Sequence, residues 1–238
     1  MSEVVPATYQ RIEEIRAEWL TITRLPTTSL ERLREVKVEA DRLIDAGHWT
    51  SGPSDMLSVL GRQRDELTHS RLLAWLLVPT NRHGLGRGFL TRFLDAIWPD
   101  EDLLRTGPVF VETEVNGAGL DDSGKLREAR ADIVLHGDGL TVLIENKLDA
   151  GEQPDQCDRQ YWAWASEPGE TRWVFLSPSG RAPLTATPGV VADAWRSMSY
   201  SRVRDVVAGA LEAAGPAAGV GRLTATQYLT TLTGAVAI

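Results

Sequence analysis

Two short runs of apolar and β-branched residues in the middle of the chain predict a pair of β-strands. The runs cover residues 131–135 and 140–144, and Asp138-Gly139 separates them. Asp-Gly is a favoured dipeptide in two-residue type I′ turns, which join antiparallel strands. The pattern therefore predicts a β-hairpin.

This turn also predicts which polar side chains meet. Asp132 should lie directly opposite Glu145, and Lys147 should emerge on the same side as Glu145 because side chains alternate along a strand. The Cβ atoms of opposed residues lie roughly 5 Å apart, and like charges in that position destabilise a sheet. Lys147 and Arg130 can supply a compensating cation, and so can Mg²⁺ or Mn²⁺, which prefer hard oxygen ligands. The spacing is equally consistent with an ordinary solvated hairpin.

Helical periodicity appears on both sides of the hairpin, so the pattern as a whole predicts an α/β protein. Ser29 and Ser201 are the expected N-caps of two of these helices. Helices are predicted at residues 1–25, 29–46, 55–60, 66–77, 155–164, 201–211 and 223–238, and the glycine-rich segment at 84–88 opens another that runs to about residue 98. Further strands are predicted at residues 109–115, 172–177 and 195–200.

The predicted helix at 66–77 carries an acid in an unusual place. Glu66, Ser70, Leu73 and Leu77 fall on one face, so a carboxylate joins a row that otherwise faces the core. The alternative is a helix N-terminal acid stabilised by the macrodipole. Pattern alone leaves both interpretations open.

The composition fits one globular domain, or one domain with a helical extension. The 238 residues are 42% hydrophobic and 24% charged. No apolar run approaches the roughly 20 residues that span a bilayer, and the first residues lack a signal-peptide pattern. A lone cysteine, Cys157, excludes an internal disulfide and is expected to be a small core residue. We therefore expect a cytoplasmic protein that does not enter membranes.

The net charge of −8 excludes a strongly basic nucleic-acid-binding coat. Residues 62–92 nevertheless hold six arginines against two acids, a local charge of +4. Such a basic strip can hold phosphates, although a merely solvated helix face has the same pattern. The strip consists of Arg62, Arg64, Arg71, Arg82, Arg87 and Arg92.

Asp132, the hairpin and the sequence Glu145-Asn146-Lys147 together resemble the D…(D/E)-x-K core of the PD-(D/E)XK nuclease superfamily. Three further segments are similar, in order and spacing, to a bacterial branch of that superfamily. They begin at Glu66, His83 and Gly151. The resemblance covers roughly residues 55–205. It implies a restriction-endonuclease-like core, with a central mixed β-sheet flanked by helices, at residues 51–238 behind an N-terminal helical extension at 1–50.

The resemblance also implies roles for individual residues. Lys147 would orient a water molecule or stabilise negative charge, and Gln156 would contact the site or the nucleic acid. In the family a tyrosine often follows that glutamine by four residues, but here Gln160 has that place and Tyr161 comes next, which leaves the tyrosine's role open. The implied ligands for Mg²⁺ or Mn²⁺ are Glu66, Asp132, Glu145 and the backbone carbonyl of Asn146.

The function expected from these features is metal-dependent hydrolysis of phosphodiester bonds, with DNA as the nucleic-acid partner. One alternative is a noncatalytic nucleic-acid- or protein-binding module that keeps the nuclease-like sheet. Another is a structural partner in a bacterial repair or defence assembly, such as one directed against phage. In that case the N-terminal helices would serve as docking or homo-oligomerisation elements.

Overall fold

The computed structural model describes residues 13–17, 27–48, 52–215 and 219–234. The chain divides into two units, Met1–Gly52 and Pro53–Ile238. Within the described residues, no helix combines the length and the apolar character needed to cross a lipid bilayer.

The first unit contains helix α1, Thr27–Asp45. The helix begins two residues before Ser29, so the prediction that Ser29 is its N-cap was wrong. Large apolar residues of this helix are exposed, with Leu33 and Val36 more than half accessible to solvent. Self-association through this helix stays a prediction. Most of the helix predicted at 1–25 lies outside the described residues.

The second unit contains a five-stranded sheet and seven further helices among its described residues. The strands are β1 Phe110–Leu120, β2 Leu126–Gly137, β3 Leu140–Asn146, β4 Glu170–Ser177 and β5 Trp195–Ser199. The helices are α2 Met56–Val59, α3 Glu66–Leu77, α4 Gly88–Ile97, α5 Gln156–Trp164, α6 Val190–Ala194, α7 Tyr200–Ala213 and α8 Val220–Gly234.

The sheet has the strand order β1-β2-β3-β4-β5. The pairs β1–β2 and β2–β3 are antiparallel, whereas the pairs β3–β4 and β4–β5 are parallel. The predicted α/β fold, a mixed sheet flanked by helices, is confirmed. Ser199 caps α7 by accepting a hydrogen bond from the Arg202 amide, so the predicted cap at Ser201 was wrong.

The predicted hairpin is confirmed between β2 and β3. Asp138 and Gly139 have φ values of 46° and 73°, and a type I′ turn requires positive φ at both of its central residues. Ile133 pairs with Ile144, which is the register that this turn predicts. Asp132 and Glu145 are the next residue on each strand.

Strands β1 and β2 are longer than predicted, and their far ends form an arm that we call the β1–β2 arm (residues 115–120 and 126–131). A tight turn at residues 121–125 joins the two strands. The Asp121 carboxylate accepts hydrogen bonds from the amides of Ser123 and Lys125 in this turn. At Gly119 an added Cβ would lie 2.1 Å from the Trp162 carbonyl oxygen, so only glycine lets α5 pack on the arm.

Apolar residues pack on both faces of the sheet. Helices α3, α4, α7 and α8 cover one face, where the first core contains the Ile133–Ile144 pair. Helix α5 covers the other face, where the second core includes Cys157 and Trp164. Cys157 is fully buried in this core, which confirms the prediction of a core residue, and its burial raises the pKa of the thiol to about 12.

Candidate active site

Asp132 lies where strand β2 changes the face that it presents to the two cores. Ala131 belongs to the core under α5, whereas Ile133, two residues later, belongs to the opposite core. Residues two apart on a regular strand share a face. The register places Glu114 of β1 opposite Asp132, and Glu114 has a φ of 60°, in the left-handed region that non-glycine residues rarely adopt. Both β1 and β2 are therefore distorted from regular strand geometry at Asp132.

Glu145 is buried at the end of β3, with 1% of its surface exposed. The Lys147 ammonium lies 2.7 Å from its Oε1 atom. The side-chain amide nitrogens of Gln156 and Gln160 each donate a hydrogen bond to one of its two oxygens. Helix α5 therefore holds the carboxylate from one side and the lysine neutralises it.

Asn146, between these two charged residues, is fully buried and connects three elements. Its backbone amide donates to Asp132 Oδ2 of β2 at 2.8 Å, and its side-chain amide donates to the Glu66 carbonyl and to Ser70 Oγ of α3. The Tyr200 hydroxyl of α7 donates to its Oδ1 at 2.6 Å. Sequence reasoning considered only the Asn146 carbonyl and missed this side chain. A buried asparagine inside an apolar strand was the available signal, because such a group needs hydrogen-bond partners.

Glu66 turns its carboxylate toward the segment that follows β3. Its Oε1 atom accepts hydrogen bonds from the backbone amides of Leu148, Asp149 and Ala150 at 2.7, 3.3 and 3.1 Å. Arg64 forms an ion pair with Asp149 beside these bonds. Backbone amides of a distant segment thus explain why Glu66 lies on the core-facing row of α3. Neither of the two interpretations of its position from the sequence included these amides.

The two acids and the lysine shift one another's protonation. Burial, and then the charge of Glu145, raise the pKa of Asp132 to about 7. Burial raises the pKa of Glu145 despite the opposing effect of Lys147. Burial lowers the pKa of Lys147, but Glu145 and Asp132 outweigh it, so the net shift is upward. The lysine therefore stays charged at neutral pH, while the acid pair carries less than two negative charges.

These groups border an open cleft of about 900 Å³, which we call the main cleft. The β1–β2 arm forms one wall and α5 another. Glu145 contacts the lining side chains from the interior and does not line the cleft itself. The charged and amide side chains that line it are Glu66, Asn116, Glu128, Arg130, Asp132, Lys147, Gln153, Gln156, Arg159 and Gln160.

The donor set suits a hard divalent cation. Carboxylate oxygens are the usual ligands of Mg²⁺, and an acid pair whose pKa values are raised by burial gains most from an added positive charge. In the part of the chain that the structure describes, no three His, Cys, Asp or Glu side chains already stand as a metal cluster. Glu66 and Glu145 instead direct oxygens to protein donors. The three bonds to Glu66 all end on Oε1, and Oε2 of Glu145 accepts a single bond from Gln160, so each carboxylate keeps lone pairs on its Oε2 atom for a metal ion.

None of the six arginines of the basic strip lines the main cleft, and phosphate binding by the strip stays a prediction. Arg62 pairs with Asp65, the residue that caps α3. Arg87 and Arg92 donate to backbone carbonyls at the ends of α4 and its neighbouring loop. The cations of the main cleft are Arg130, Lys147 and Arg159.

Gln160, and not Tyr161, reaches the candidate site. Its amide nitrogen also donates to the Arg130 carbonyl at 2.9 Å, which ties α5 to β2. Tyr161 points to the second core and packs on Trp162 and Trp173 with ring centroids 4.9 and 4.8 Å away. The four-residue spacing from Gln156 is one helical turn, which was the signal for a shared face.

A family model for the PD-(D/E)XK nuclease superfamily matches residues 54–218, well over half of the chain. No curated protein and no solved structure matches the chain closely enough to carry an inference. The mixed sheet flanked by helices is consistent with the restriction-endonuclease-like fold implied by the sequence. The chain belongs to the PD-(D/E)XK nuclease superfamily.

Proposed function

We propose that the protein is a metal-dependent nuclease that hydrolyses phosphodiester bonds in DNA. The observation that carries the proposal is the buried contact between Glu145 and Lys147 beside Asp132, with Lys147 and Asp132 lining an open cleft. Two acids with raised pKa values and a charged lysine form a combination typical of catalytic sites. Family membership supports nuclease activity in general.

The proposed ligands for Mg²⁺, or for Mn²⁺ in its place, are the side chains of Asp132, Glu145 and Glu66 and the backbone carbonyl of Asn146. When bound, such an ion lowers the pKa of a water molecule and offsets charge on the phosphate oxygens. Glu66 would use its Oε2 atom, because its three hydrogen bonds all end on Oε1.

The remaining steps belong to the protein's own side chains. Lys147 is held by Glu145 and lines the main cleft, so its ammonium can donate to a phosphate oxygen as negative charge develops there. The Asn146 amide fixes the orientation of Asp132. Gln156 and Gln160 keep the Glu145 carboxylate in one rotamer, which preserves the distance between the acids.

Acids that face a polyanion repel it, so binding of DNA requires compensating cations. Arg130 and Arg159 line the main cleft and supply part of this charge. Contacts from such residues fix the position of a strand without reading its sequence.

The test is cleavage of single-stranded, double-stranded and branched DNA by the purified protein, with Mg²⁺ or with a chelator. We expect Mg²⁺-dependent cleavage by the wild type and none by Glu145→Gln, with Tyr161→Phe as the matched control on the neighbouring core. Undiminished cleavage by Glu145→Gln would refute the assignment. Mg²⁺-independent DNA binding without cleavage would favour the noncatalytic module instead.

A further inference from the structure

A second cleft shares Lys147 with the main cleft. It encloses about 510 Å³, and we call it the Arg181 cleft. Lys147, Ala150 and Gly151 line both clefts, so the two meet at this segment. The charged residues of the Arg181 cleft are Arg64, Lys147, Asp149 and Arg181. Its lining is therefore net positive, in a protein whose overall charge is −8.

Arg181 is held in place before any ligand binds. Its Nη1 atom lies 2.5 Å from Oε1 of Glu152, a carboxylate that is only 2% exposed. Glu152 in turn accepts bonds from the amides of Leu184 and Thr185. The guanidinium also lies over the Phe175 ring, 5.0 Å from its centroid. A guanidinium fixed in this way loses little side-chain entropy when it binds an anion.

Ser177 supplies a second, independent observation. It ends β4 beside Lys147, whose backbone amide donates to Leu176, and it lines the Arg181 cleft. The residue is 1% exposed, and within the described structure its hydroxyl has no hydrogen-bond partner. An unpartnered buried hydroxyl weakens a fold, so folding alone does not explain it. A phosphate oxygen would accept a bond from it.

We propose that the Arg181 cleft binds a phosphate group of the substrate strand next to the phosphate that is cleaved. Arg181 and Ser177 are its main donors, and Arg64 adds positive charge. The inference rests on the proposed nuclease function and extends it, because a strand that crosses Lys147 enters both clefts. The ligand is either an internal phosphodiester or a terminal phosphate, since the two present the same oxygen atoms.

The experiment measures KM, kcat and the salt dependence of strand binding for Ser177→Ala and Arg181→Gln in the full chain. Both should raise KM about 10-fold, as expected for one lost charged contact, with kcat within a factor of two. Arg181→Gln should also lower the salt slope of binding by about one. Strands with a 5′-phosphate, strands with a 5′-hydroxyl and circular strands separate a terminal from an internal phosphate.

Arg105→Gln is the matched control. Arg105 is 37% exposed against 36% for Arg181, also pairs with carboxylates, and lines neither cleft. Ser177→Ala removes no hydrogen bond, so its melting temperature should not fall, and it tests the site even if Arg181→Gln unfolds. Unchanged KM and salt slope in an active Ser177→Ala and a folded Arg181→Gln would overturn the subsite alone. A wild type that neither binds nor cleaves any strand would overturn the nuclease proposal as well.

Discussion

The backbone amide of Asn146 donates a hydrogen bond to Oδ2 of Asp132 at 2.8 Å. The middle residue of the Glu145-Asn146-Lys147 motif thus holds the acid of the neighbouring strand, while the flanking residues form the buried ion pair. Because this bond spans the point where β2 changes faces, orientation of the acid and distortion of the sheet are coupled. The orientation of the acid and the distortion of the sheet can both be measured.

Asp132→Asn should stabilise the metal-free protein above pH 7. The pKa of Asp132 is about 7 in the fold and ~3.9 in an unfolded chain, so the folded state binds the proton more tightly. Stability of the wild type therefore falls as pH rises from about 4 to 7 and is level above that range. Asp132→Asn should remove this decline. A pKa difference between the folded and unfolded states contributes ~1.4 kcal/mol per unit, so the decline in the free energy of unfolding is on the order of a few kcal/mol.

Denaturant unfolding of both proteins in a chelator, from pH 4.5 to 8.5, checks this prediction. Asparagine keeps an oxygen that can accept the Asn146 amide, so the fold should persist. Added Mg²⁺ should stabilise the wild type and leave Asp132→Asn unchanged. Parallel pH profiles of the two proteins would show that Asp132 is not the titrating group.

Mg²⁺ affinity should depend on pH in the opposite sense to metal-free stability. Protons compete with the ion for Asp132, so affinity should fall below pH 7, by up to about tenfold per pH unit for this one group, and level off above it. The raised pKa of Glu145 should make the fall steeper still. Calorimetric titration of Mg²⁺ between pH 5.5 and 8.5 measures this directly, and a flat profile would contradict it.

Gln160→Leu should weaken Mg²⁺ binding about 10- to 100-fold, the usual cost of removing a residue that orients a ligand. The substitution removes the donor that holds Glu145 and the link to the Arg130 carbonyl. Tyr161→Phe, one residue away on the same helix, should bind Mg²⁺ as the wild type does. Calorimetry compares the two, and equal affinities would show that Gln160 has no orienting role.

Tyr200→Phe should cost about 1–3 kcal/mol of stability, because it leaves the buried Asn146 Oδ1 atom without a donor. Tyr228→Phe is the matched control. Burial lowers the pKa of His69, so the neutral ring donates from Nε2 to the Gln63 carbonyl and accepts the Tyr228 hydroxyl at Nδ1. That variant also loses one buried hydrogen bond but leaves Asn146 untouched.

Tyr200→Phe and Tyr228→Phe should differ in their cleavage activity rather than in their stability to unfolding. We expect similar losses of stability for the two phenylalanine variants, measured by urea unfolding, and a lower kcat for Tyr200→Phe alone. The reason is that only Tyr200 contacts the residue that orients Asp132. If kcat falls equally in both, the Tyr200 bond contributes to stability and has no separate effect on the site.

Local chemistry in the sequence was enough to locate the candidate site. Asp138-Gly139 adopts the positive φ values that its residue types favour, and this turn fixes the pairing that brings β2 and β3 together. The helix that carries Glu66 was likewise predicted with its bounds, since its apolar period and the following Pro79 are properties of neighbouring residues. The N-cap residues were predicted less accurately, because any serine near the start of a helix satisfies the same local preference for the N-cap position.

Tertiary structure alone decided how the site is held. Tyr200 meets Asn146 across 54 residues of chain, and Glu66 meets the amides at 148–150 across more than 80. No local pattern encodes such pairs, because they depend on how α3 and α7 pack on the sheet. Tertiary contacts also engage two arginines of the basic strip, since Arg64 pairs with Asp149 and Arg87 donates to the carbonyls of Leu104 and Gly107. The sequence by itself determined which groups form the candidate site, and burial among distant partners determined their orientation and their charge.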